Sequence, residues 1–129
     1  MNYLEAKGKM DYNFKDDSLY LYVDKFISKG DHKYSDSVDL KGFIVDLDEH
    51  KHVVGLELLD ASQKLNVDKI VLKYIKQGKF DAKVEKDSIF VIFSFISIIR
   101  NKTKEFTLNA ERINTPQIQE SGLTCQVSS

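Results

Sequence analysis

Runs in which every second residue is apolar, broken by short charged turns, leave this chain few options other than antiparallel hairpins. From Met10 to Phe14 apolar residues alternate, and Leu19, Leu21 and Val23 continue the pattern beyond Lys15-Asp16-Asp17-Ser18. Period-two alternation marks a strand with one buried face, and the charged interval marks a turn. Pairing Phe14 with Leu19, Tyr12 with Leu21 and Met10 with Val23 puts all of them on one surface, because opposed residues share a face. After a loop at about 28–33, where Gly30 and Asp31 supply turn chemistry and His32 suggests no site, Tyr34 to Leu40 reads as an edge strand. A second hairpin sets Phe43, Val45 and Leu47 against Leu58, Leu56 and Val54 across Glu49-His50-Lys51-His52. A third sets Phe80, Ala82 and Val84 against Phe93, Val91 and Ile89. Thr103 to Glu111 adds a strand with Phe106, Leu108 and Ala110 inward.

One segment reads differently. Asp60 is a suitable N-cap for a helical turn to Leu65. Val67, Ile70, Val71, Tyr74 and Ile75 then fall at helical spacing, and Gly78 is placed to stop the helix. The fold expected is therefore α+β, a mainly antiparallel sheet of hairpins with one main helix, about 61–77, packed on it. It forms a single domain over 1–113. Residues 114–129 hold Pro116, Gly122 and many Ser, Thr and Gln, and are expected to form a disordered polar tail unable to offset its ordering entropy by burial.

The 129 residues, 42% hydrophobic and 30% charged, suit one ordinary domain. Their formal charge of −1 gives no general attraction to nucleic acid or anionic membrane. Ser88 to Ile99, the most apolar stretch, is shorter than the ~20 residues that cross a bilayer as a helix, so no membrane partner is expected. Met1 to Met10 has no apolar run of signal-peptide type. The single cysteine, Cys125, has no internal partner, which fits a reducing, cytoplasmic location. It reads as an incidental thiol.

DYNFKDDSLYLYV, from Asp11 to Val23, is echoed by DAKVEKDSIFVIF from Asp81 to Phe93, with Asp11/Asp81, Asp17/Asp87 and Ser18/Ser88 identical. A partial repeat over 78–113 and the convergence of two charged hairpin turns both account for this.

DYNFKDDSLYLYV and, further on, GFIVDLDEHKHVVGLELLDAS from Gly42 to Ser62 resemble the family known as domain of unknown function 2283, over roughly residues 10–65 within a family-like unit of 10–77. The resemblance implies a compact β-rich unit closed by a helix. It supplies no catalytic residues, since the family has no established activity, and it suggests a protein partner. His50-Lys51 stands where family members commonly carry a turn glycine.

The polar face of the second hairpin carries the candidate ligand or metal residues, Asp46, Asp48 and Glu57. Gly55 opposite Asp46 leaves space beside it, and hard cations take several such oxygen ligands. Alternating acids on the wet face of a sheet are also ordinary solubilising residues. His50 and His52 flank the turn, but a tetrahedral site needs more ligands than they and Asp48 supply. No nucleophile with a base and no glycine-rich phosphate loop is evident, and no cofactor is expected. Tyr20 and Tyr22, opposite the filled Leu19-Leu21-Val23 face, are candidate interface residues. The chain reads as a non-catalytic protein-interaction module, self-associating or binding an unidentified protein, with cation or small-ligand binding on the acidic face as the alternative.

Overall fold

A computed structural model describes residues 2–24 and 34–128; the loop expected at 28–33 lies outside the described residues. Nine strands run in chain order: β1 (Asn2–Asn13), β2 (Ser18–Val23), β3 (Tyr34–Asp39), β4 (Phe43–Asp48), β5 (Val53–Leu58), β6 (Ile75–Val84), β7 (Ser88–Ile99), β8 (Lys102–Ile113) and β9 (Ser121–Ser128). Two single-turn helices, α1 (Ala61–Leu65) and α2 (Lys69–Lys73), separate β5 from β6. The strands make one sheet in the order β3-β4-β5-β2-β1-β9-β6-β7-β8, parallel at β1–β9 and antiparallel at every other junction.

The sheet curls into a half-barrel, and the alternating apolar residues line its inner face. Leu19, Leu21, Leu56, Leu58, Phe80, Ile89, Phe93 and Phe95 are almost wholly buried there. Both sheet edges meet at Arg112 of β8. Its guanidinium donates to the carbonyls of Leu40 and Lys41, in the β3–β4 turn, and lies 5.1 Å from the Phe43 ring centroid.

This architecture corrects the expected α+β class, since among the described residues the fold is mostly β and the only helices are the short α1 and α2. The stretch that reads as one helix over 61–77 breaks because Asn66 adopts a left-handed conformation (φ 55) and closes α1 as its C-cap. Asp60 is also left-handed (φ 53) and makes no side-chain cap. The cap comes from Asp17 in the β1–β2 turn, which accepts the Ser62 amide at 3.1 Å and the Ser62 hydroxyl at 2.7 Å. Ile75, assigned to the helix from its spacing, and Gly78, expected to stop it, both belong to β6.

Hairpin faces follow the alternation, while registers follow the turns. In β6–β7 the expected pairs Val84–Ile89, Ala82–Val91 and Phe80–Phe93 all form. In β4–β5, Phe43–Leu58 and Val45–Leu56 form, but a bulge then sets Leu47 against Val53 and buries both Val53 and Val54. In β1–β2 the pairs are Tyr12–Leu19 and Met10–Leu21, a slip of two residues that keeps the apolar face inward and leaves Phe14 exposed in the turn.

The tail expected to be disordered contains a central strand. β9 lies between β1 and β6, with Leu123, Cys125 and Val127 buried. The Ser, Thr and Gln content there hides a strict alternation in which Thr124 and Gln126 face outward. Cys125 packs against Gly8, where any β-carbon would sit 2.6 Å from its sulfur and 2.2 Å from the Tyr22 carbonyl oxygen. Burial pushes the thiol up to about 12, so it stays protonated.

Candidate functional site

The structure brings two of the three candidate carboxylates together and assigns the third to the turn. Asp46, although on the outer face, is only 5% exposed. It lies opposite Gly55 of β5 and Ser37 of β3, and Ser37 donates a 2.6 Å hydrogen bond to it. The space that glycine opens at position 55 is filled by Asp46 itself, since a β-carbon there would stand 3.0 Å from its carboxylate oxygen. Burial first, and then a hydrogen bond with Glu57, raise the Asp46 carboxyl to about 7 against the opposing effect of Ser37. The Asp46 carboxyl thus keeps its proton up to about neutral pH.

Asp48 is fully buried and accepts the amides of His50 and His52 at 2.8 and 2.9 Å. It organises the β4–β5 turn, in which Lys51 adopts a left-handed φ of 65, the conformation a turn glycine would take without strain. His50 is exposed in that turn, and among the described residues no group of three or more His, Cys, Asp or Glu side chains could hold a metal ion. Tyr20 and Tyr22 pack edge to face at 6.2 Å beside Glu57 and Gly55, with Tyr20 41% exposed and Tyr22 half-buried.

A larger feature escapes sequence reasoning. A trough of about 1160 Å³ runs between α1–α2 and the β7–β8 hairpin. Ile70 and Tyr74, 44% and 43% exposed, form one wall, and half-buried Ile99 lines the β7 side, on the same strand face as Ser97. Phe106 lies in the floor, stacked on Phe95 at 4.9 Å. Arg100, Lys102 and Lys104 contribute charge from the hairpin, against a single lining carboxylate, Asp68.

The trough is held open by local bonds. The Ser97 hydroxyl donates to the Val71 carbonyl at 2.8 Å, fastening α2 to β7. On its other flank α2 places Lys69 and Lys73 over the Phe14 ring at 4.5 and 5.4 Å. Opposite, Arg100 and Asn101 make a tight two-residue turn with φ of 52 and 63, fixing where the basic residues emerge. The available sequence signal was the basic run Arg100-Asn101-Lys102-Thr103-Lys104 directly after the most apolar strand.

Comparison with known proteins places this geometry. Over 107 residues the chain is 32% identical to a Methanosarcina mazei protein named "Putative hypoxanthine phosphoribosyltransferase", covering 83% of this chain and 82% of that protein. Over 97 residues it is 34% identical to an uncharacterised protein of Methanocaldococcus jannaschii, covering 74% and 78% respectively. No solved structure matches the chain. Residues 9–62, which run from β1 into α1, match the family described as "Protein of unknown function (DUF2283)", and with relatives aligned over most of their length the chain belongs to that family.

Proposed function

We propose that the chain is a non-catalytic protein-interaction module and that the trough between α1–α2 and β7–β8 is its binding surface. The observation that carries this is the pair of exposed large apolar side chains, Ile70 and Tyr74, gathered with half-buried Val71, Ile99 and Phe106 in one concavity. Rigid walls lower the ordering cost of binding. The acidic face supports the cation-binding alternative less well, because Asp48 is engaged by the turn and a cation would have to displace the proton of buried Asp46.

An uncharged apolar dye such as Nile red tests the reading. Its fluorescence should rise on the folded protein, fall in Ile70→Glu and persist in Tyr20→Ser, with all three proteins melting within a few degrees of one another. Retention of the signal in folded Ile70→Glu, or its loss in Tyr20→Ser, would move the binding surface elsewhere.

A further inference from the structure

We propose that the trough receives an acidic amphipathic helix from a partner protein, an inference that rests on the trough being the interaction surface. Its charge is one-sided, with Arg100, Lys102 and Lys104 against Asp68, in a chain whose formal charge is only −1. The excess of positive charge is therefore local to this surface. It borders an apolar floor and wall, a combination matched by a ligand with an apolar stripe and acidic flanks.

Shape selects among such ligands. The trough exceeds the roughly 300–1,000 Å³ of most small-molecule sites and lies open to solvent. A long-chain carboxylate would leave much of its chain in water there, whereas a helix buries one stripe and keeps its polar side outside. Apolar anchors at i, i+3, i+4 and i+7 would meet Ile70, Tyr74, Ile99 and Phe106. Glu or Asp on the flank would meet the hairpin lysines and Arg100.

Two fluorescein-labelled helical peptides with the same Leu/Phe stripe, one flanked by Glu and the other by Lys, supply the test by anisotropy on the full chain. The Glu peptide should bind at least roughly tenfold more tightly at low salt, and the gap should narrow at about 0.5 M salt. Arg100→Glu with Lys102→Glu and Lys104→Glu should reverse the preference. Should that variant fail to fold, the milder Lys102→Ser with Lys104→Ser should still lose most of it. Equal affinity for the two peptides sinks the acidic-helix inference and leaves the trough reading standing, provided the dye response is still lost in Ile70→Glu. If neither peptide binds, a helical occupant is excluded. Displacement of the Glu peptide by a long-chain carboxylate, or a dimer dissociated by Ile70→Glu, gives the trough to a lipid or to a second copy and overturns the proposal.

Discussion

Asp46 sits at the sheet position where a solubilising carboxylate would ordinarily be, yet it is buried against Gly55 and bonded to Ser37. Its folded-state carboxyl titrates near 7, against 3.8 unperturbed, so between those values the folded protein binds more protons than the unfolded chain. Its contribution to stability is therefore complete below about pH 4 and lost as pH rises through about 7. Asp46→Asn keeps a donor for Glu57 and an acceptor for Ser37 without the charge. It should raise stability at about pH 8 by roughly 1–2 kcal/mol and flatten the melting temperature against pH between about 4 and 8; an unchanged pH slope would contradict the raised Asp46 carboxyl. The pairing of Asp46 with Gly55 was legible in the alternation. The burial was not, because it depends on Ser37 arriving from β3 and on the β4–β5 bulge. Asp17 is the opposite case, a turn residue whose carboxyl burial pushes up but whose bonds from Ser62 and Tyr12 hold below its usual value.

At the scale of elements, the hairpins were legible because one buried face imposes a period of two, and β6–β7 was legible down to its register. The helix was over-read. Val67, Ile70, Val71 and Tyr74 do have helical spacing, but helical propensity across Asn66 gives way to a left-handed cap, and Ile75 and Gly78 are claimed by pairing with β7. β9 was missed for the converse reason, since polar composition outweighed the Leu123-Cys125-Val127 alternation and its parallel partner lies at the other end of the chain. Ending the chain after Glu120 tests this element. With β9 gone, β1 and β6 lose their shared neighbour and the inner face opens, so amide resonances should collapse into the narrow dispersion of an unfolded chain. A disordered tail would be removed silently, with the folded spectrum retained.

Across the whole molecule, curling brings together parts distant in sequence. Arg112 meets Leu40 and Lys41 where the sheet edges approach, and Ile70 and Tyr74 come to line one trough with Ile99 and Phe106. Each wall was visible locally, as a helical apolar set and as a basic run after an apolar strand. Their juxtaposition is a property of the sheet order and could not be read from either. The interaction reading stands on that juxtaposition, and an amide NMR titration of the labelled full chain with the Glu-flanked peptide tests it most directly. The account predicts shifts concentrated in residues 67–74 and 98–106. Shifts centred instead on Tyr20, Tyr22 and Glu57 would contradict it.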